Sequence, residues 1–278
     1  MSVSSKESSK IIVQDFTGVY AEQSFMQGLR EQENTRYINC ANIPGTDCYC
    51  GDDAVAAIRE QIANAGIKNA EGIHFFDNGN YHYMSKIWTD MVQEPFSLVV
   101  FDHHPDMQAP RFGDILSCGG WVKKALDENK FIDNVVIIGV ADHLVDEILE
   151  EIASHPAGAR NDNHQNKVTF IRESEIANIH ANSLLTAHSS QAVYISIDKD
   201  ALSHADAATN WDQGSLSLEH MKAIITEIAK DRQIIGVDIC GERARDFAGD
   251  ERHTVQEADA LNSRTNQELV EFLQSILR

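Results

Sequence analysis

Short apolar runs rich in β-branched residues recur along the whole chain. They read KIIVQDF (10–16), RYINCANI (36–43), GIHFF (72–76), SLVVF (97–101), NVVIIGV (134–140), KVTFI (167–171), AVYISI (192–197) and IIGVDI (234–239). Continuous apolar runs of this length fit strands buried on both faces, as in parallel sheets. Amphipathic helical stretches separate most of them. DDAVAAIREQIANAG (52–66) opens with a capping Asp and closes on Gly. HLVDEILEEIASH (143–155) and SLEHMKAIITEIAKD (217–231) carry apolar residues three and four apart, the latter behind Ser217 as a plain N-cap. NQELVEFLQSILR forms a C-terminal helix. This alternation predicts an α/β fold, a three-layer αβα sandwich around a mainly parallel sheet of about eight strands.

No Pro- or Gly-rich linker and no internal repeat divides the chain, so residues 1–278 read as one domain with a flexible N-terminus over 1–9. A formal net charge of −20 excludes nucleic acid as a natural partner, because phosphates would be repelled, and it concentrates cations near the surface. No run of about 18 apolar residues is present, so no membrane-spanning helix is expected. The N-terminus MSVSSKESSK lacks the apolar region of a secretory signal, and the expected location is cytoplasmic. Five cysteines, an odd number at low density, do not make a disulfide framework. Cys48 and Cys50 are spaced as C-x-C, which without a second pair reads as free thiols on a loop.

The longest segments without a clear element are 103–118, 201–216 and 241–265. The first two directly follow strands, at the edge where open α/β folds place their sites. There VVFDHHPDM puts Asp102, His104 and Asp106 two residues apart. Alternate residues of an extended segment point the same way, and Pro105 keeps His104 extended, so the three converge while His103 faces away. YISIDKDAL ends a second strand with Asp198 and Asp200, also on one side. His82, in FFDNGNYHYM, follows a third strand and a Gly-containing turn. This donor set exceeds what one tetrahedral zinc needs. It suits two divalent ions bridged by carboxylate, and the carboxylate excess favours Mn²⁺ over Zn²⁺. Without cations, four clustered carboxylates would raise one another's pKa.

FDHHPD, SIDKDAL and GNYHY resemble, in order and separation, the metal motifs of the arginase–agmatinase (ureohydrolase) family within the wider arginase/deacetylase fold. The resemblance covers roughly residues 70–245 and marks a distant member. It implies that Asp102 and Asp198 bridge two metals, that His82 and Asp106 complete the first, and that His104 and Asp200 complete the second. It implies a hydroxide between the metals as nucleophile, a small-molecule substrate with a guanidino, amidino or formimidoyl carbon, and Asp106 as the proton acceptor. Homo-oligomers, trimers or hexamers, follow from the same resemblance.

The chain departs from the family at three places. Cys118, in LSCGGWV, stands where a proton-shuttling His is usual, and it can be either a proton shuttle or a packing residue. SHADAATNWDQGSLS lacks the family's Pro- and Gly-rich recognition loop; Trp211 there can stack on a planar substrate or anchor a lid. VDICGERAR has Gly241 at the position of the family's guanidinium-binding Glu, with Glu242 one residue later as the candidate anchor. Asn80 is a further candidate for contacts around the substrate. Two other readings stay open: a one-metal zinc amide deacetylase of the same fold, and a metal-binding regulatory protein without turnover.

Overall fold

The computed structural model describes residues 10–110, 113–154, 167–179, 185 and 190–277. The N-terminal segment 1–9, expected to be flexible, lies outside the described residues.

Eight parallel strands form one sheet. In chain order they are β1 (Ile11–Asp15), β2 (Thr35–Asn39), β4 (Ile73–Phe75), β5 (Phe96–Phe101), β7 (Ile132–Val140), β8 (Val168–Arg172), β9 (Ala192–Asp198) and β10 (Gln233–Cys240). Their spatial order is β2-β1-β4-β10-β9-β5-β7-β8, and every neighbouring pair is parallel. Two short strands, β3 (Tyr49–Cys50) and β6 (Leu116–Ser117), pair antiparallel outside this sheet. The chain winds outward through β5, β7 and β8, then returns to insert β9 and β10 at the centre. That reversal leaves a crevice at the carboxyl ends of β4, β10, β9 and β5, where ligands bind in open α/β sheets.

The pleat divides the core. In β5, Val99 and Phe101 face one layer, and Leu98 and Val100 face the other. The first layer holds α1 (Ser24–Leu29), α6 (Leu218–Asp231) and α7 (Val255–Ile276). The second holds α2 (Asp52–Asn64), α3 (Met84–Thr89), α4 (Trp121–Glu128) and α5 (Asp142–Ser154). The α/β sandwich expected from the alternating pattern is thus observed, with a wholly parallel main sheet.

Local details differ. Gly51, not an Asp, caps α2, and Asp52 and Asp53 occupy its first turn. Carboxylates there still favour the helix through its dipole. The segment 241–265 is not all loop, because α7 starts at Val255 behind a Thr254–Glu257 capping box. Its first half escapes an apolar-periodicity reading because its inward face is polar. Asp259 binds Arg243 through both oxygens, Asn262 binds both polar atoms of the Ala208 peptide, and Asn266 binds Glu242.

Candidate metal centre

Three strand ends deliver the polar cluster. After β4, the Asn78 side chain accepts from Asn80 N and starts a 3-10 turn over Gly79–Tyr81. His82 closes that turn. Its Nε2 is tied to Ser196 Oγ at 2.9 Å, and Ser196 is tied in turn to Ser85. The ring is thereby fixed with Nδ1 toward Asp102 Oδ2 (3.0 Å), Asp106 Oδ2 (3.0 Å) and Asp198 Oδ2 (3.6 Å). A metal-ligating His usually has its second nitrogen held in this way.

After β5, Asp102 and His104 bend back on each other, with His104 N donating to Asp102 Oδ1 at 2.6 Å. Extended geometry does not carry on to Asp106, contrary to the period-two argument. The strand ends at Phe101, and Asp106 adopts a left-handed conformation with φ 49°. Its carboxylate is then set by Trp121 Nε1, which donates to Oδ2 at 2.6 Å. A left-handed non-glycine residue is costly, and the surrounding contacts must hold it. His103 turns away, toward the Gly139 carbonyl, as expected.

Asp198 is the last residue of β9, and Asp200 lies in the following 3-10 turn rather than in extended chain. Asp200 N donates to Asp198 Oδ1 at 2.9 Å. Asp200 Oδ2 meets His104 Nδ1 at 2.9 Å, and Asp102 Oδ1 lies 3.5 Å from the same nitrogen. His82, Asp102 and Asp106 form one group with donor atoms within 4.8 Å, and Asp102, His104 and Asp200 form another. Asp102 belongs to both. All six residues line a cavity of about 450 Å³ together with Trp211, Cys48 and Cys118.

The electrostatics are those of a crowded, buried acidic cluster. Burial, reinforced by Asp200, pushes Asp198 up to about 7. Burial and then Asp102 push Asp200 up to about 6. Burial lowers the pKa of the His82 imidazolium, but Asp102 and Asp106 outweigh it and hold the ring well above its ordinary value. His104 is likewise raised against burial by Asp102 and Asp200. Protonated rings here stand where a cation would satisfy the same oxygens.

Other residues depart from expectation. Glu242 does not reach the cavity. It is fully buried, paired with Lys199 Nζ at 2.5 Å and accepting from Gln23 Nε2 (2.7 Å) and Asn266 Nδ2 (2.8 Å). The one-residue shift relative to the family motif reverses its direction. Gly241 cannot substitute for it. With φ 87°, any Cβ there would lie 2.3 Å from Asp198 Oδ1. Asn80 stands behind the residues that line the cavity. Its amide is spent on Asp47 Oδ1 (2.7 Å), Asn210 Nδ2 (2.8 Å) and Trp211 Nε1 (3.0 Å), so it braces the wall of the cavity. Trp211 does line the cavity, with its ring 5.6 Å from that of His104. Cys118 lies at the rim against Cys48. The hydrogen bond it donates to Cys48, together with burial, raises its thiol, which disfavours it as a proton shuttle near neutral pH.

Three contributors were not legible in the sequence. Trp121 follows the cluster on a helix with ordinary core periodicity. Asp212 Oδ1 holds His104 Nε2 at 3.2 Å from within an irregular loop. Cys240, fully buried at the end of β10, donates from Sγ to Asp198 Oδ2 at 3.2 Å. Its position at the inward end of a strand is the one signal that could have flagged it.

A family model described as the Arginase family matches residues 72–243, which contain every residue of the cluster. The chain belongs to the Arginase family. An uncharacterized protein of Thermotoga maritima is 29% identical over 232 residues, covering 84% of this chain and 79% of that protein. Formimidoylglutamase from Bacillus subtilis superposes with a TM-score of 0.64 at 11% identity, over 97% of this chain and 88% of that one. Proclavaminate amidino hydrolase from Streptomyces clavuligerus gives 0.62 at 15% identity, over 96% and 92%. At such identity these two structures establish the arginase-like fold and no more. The family assignment supports metal-dependent chemistry of the ureohydrolase type. No helix among the described residues is long and apolar enough to cross a membrane.

Proposed function

We propose that this Arginase-family protein is a binuclear manganese hydrolase that cleaves a non-peptide C–N bond in a guanidino, amidino or formimidoyl small molecule. The observation that carries the reading is the Asp102 carboxylate, which faces His82 through Oδ2 and His104 through Oδ1. A single group that belongs to two adjacent donor sets suits a pair of ions better than one.

The residues fit divalent cations on their own chemistry. Four carboxylates, each at most 6% exposed, share one space with two imidazoles. Such an arrangement is expensive unless cations complete it. His82, Asp102 and Asp106 would hold one ion, with Asp198 beside His82, and Asp102, His104 and Asp200 would hold the second. When bound, the ions supply Lewis acidity and lower the pKa of water to near neutrality. The chain's own residues do the positioning. Ser196 and Asp212 fix the two rings, and Trp121 fixes Asp106. Asp106 is the proposed group that takes the proton of the attacking water and passes it to the departing amine. Trp211 forms the wall against which a planar substrate group rests. Glu242 and Cys118 have no part in this scheme.

The one-metal deacetylase reading needs only the Asp102–His104–Asp200 half. The buried His82–Asp102–Asp106 half favours two ions. A screen for urea release from guanidino compounds and formamide release from formimidoyl compounds, with ammonia followed in both, beside a panel of acetylated amines, tests the reaction class. Release from the first panel supports the proposal, and turnover confined to the second would replace it with the deacetylase.

A further inference from the structure

Cys48 and Cys118 face each other at the rim of the metal cavity. The β3–β6 ladder pairs Tyr49 with Ser117 and Cys50 with Leu116, so the next rung is Cys48 opposite Cys118. The backbone closes this rung, with Cys118 N donating to Cys48 O at 2.9 Å. Opposed residues of an antiparallel ladder have Cα atoms about 4.5–5.5 Å apart. Disulfides span about 4.4–6.8 Å between Cα atoms. Cys48 takes a left-handed φ of 59° as the ladder ends, and both side chains line the same cavity.

The other three cysteines contrast with this pair. Cys40, Cys50 and Cys240 are buried, whereas Cys48 and Cys118 are only partly buried. Buried thiols in apolar surroundings are inert, and exposed ones next to a resolving thiol react. The two thiols share a hydrogen bond that lowers Cys48 and raises Cys118. Cys48 is thereby the better nucleophile and Cys118 the resolving partner.

We propose that Cys48 and Cys118 form a redox-active dithiol at the rim of the cavity, which a hydroperoxide converts to an intramolecular disulfide. The Cys48 thiolate attacks the peroxide oxygen, the O–O bond breaks, and Cys48 becomes a sulfenic acid while an alcohol (or water) leaves. Cys118 Sγ then attacks the Cys48 sulfur and releases water. Two thiols lose two electrons and two protons, and the peroxide is reduced by the same two electrons. The bond staples the loop ending at Cys48 to the segment that leads into Trp121, the donor to Asp106.

The test treats the full-length, manganese-loaded protein with hydrogen peroxide, alkylates it, and maps its peptides by mass spectrometry. The expected product is a Cys48–Cys118 linked peptide. The free thiol count after denaturation falls from five to three, and dithiothreitol restores it. In Cys118→Ser, Cys48 is trapped by dimedone as a sulfenic acid and no link forms. The wild-type map needs no variant to fold. Recovery of Cys48 and Cys118 as separate alkylated or singly over-oxidised peptides, or a link through Cys50, would overturn the proposal.

Discussion

His82 Nδ1 and Asp106 Oδ2 lie 3.0 Å apart, although one follows β4 and the other sits in a left-handed bend beyond β5. The indole of Trp121 makes this meeting possible by holding the Asp106 carboxylate. Trp121→Phe keeps the ring in the core and removes only the donor. Loss of an outer hydrogen bond of this kind costs about 10–100-fold in metal affinity or activity. A titration of the chelated variant with Mn²⁺ should show one site weakened by that factor and the other unchanged. Equal weakening of both would place Trp121 outside the first site.

Asp200→Asn tests the other half. An amide keeps the shape and loses the charge that faces His104. Retained folding with about one Mn²⁺ fewer per chain and turnover lowered by at least about 100-fold is the expected outcome. Unaltered metal content and activity would remove Asp200 from the site.

Glu242 and Lys199 give a different kind of prediction. Their ion pair is buried on both sides, so Glu242→Gln strands a buried ammonium. Breaking such a pair typically costs about 3–5 kcal/mol. Urea denaturation should show a loss of that order, while KM for any accepted substrate stays unchanged. A large rise in KM at wild-type stability would restore Glu242 as a substrate anchor.

Stability and pH connect through Asp198 and Asp200. Burial and like-charged neighbours raise them from 3.8 to about 7 and about 6. From roughly pH 4 to pH 7 the native, metal-free protein therefore binds more protons than the unfolded chain. The stability these groups contribute is full below about pH 3.8 and is lost as pH rises through 6 and 7. The raised His82 and His104 act with the same sign above their ordinary value of 6.5. In chelator, melting temperature should fall between pH 5 and pH 8. With Mn²⁺ the fall should flatten, because the ions displace those protons. Asp77, buried away from the cavity and also pushed up to about 7, leaves a residual slope. Identical slopes with and without metal would show that the cluster does not bind it.

Trp211 lines the cavity, its indole held by Asn80. Trp211→Ala should raise KM by about fivefold with a smaller change in kcat, consistent with loss of an aromatic contact worth about 1 kcal/mol. Asn80→Ala should do the same more weakly, through the indole. An Asn80→Ala effect larger than that of Trp211→Ala would mean that Asn80 touches the substrate itself.

The sheet and the cluster were legible because both rest on strong local patterns. Buried strands need long apolar runs, and their carboxyl ends carry the acidic and imidazole residues at short spacing. The route by which those residues meet was not legible. Asp106 arrives through a left-handed bend and Asp200 through a 3-10 turn, although alternation along an extended chain predicts the same neighbours. Glu242 shows the limit from the other side. Its type suits the chemistry, but one glycine with φ 87° turns it to Lys199. The polar inward face of α7 hid half a helix, because Asp259, Asn262 and Asn266 are satisfied by loops that no periodicity reveals.

Two adjacent donor sets that share Asp102 are proposed to bind two ions. Elemental analysis of the purified protein, after chelation, Mn²⁺ loading and removal of free metal, measures this directly. About two Mn²⁺ per chain are expected, falling to one or none in Asp102→Asn. A reproducible single Zn²⁺ per chain that Mn²⁺ does not displace would contradict it.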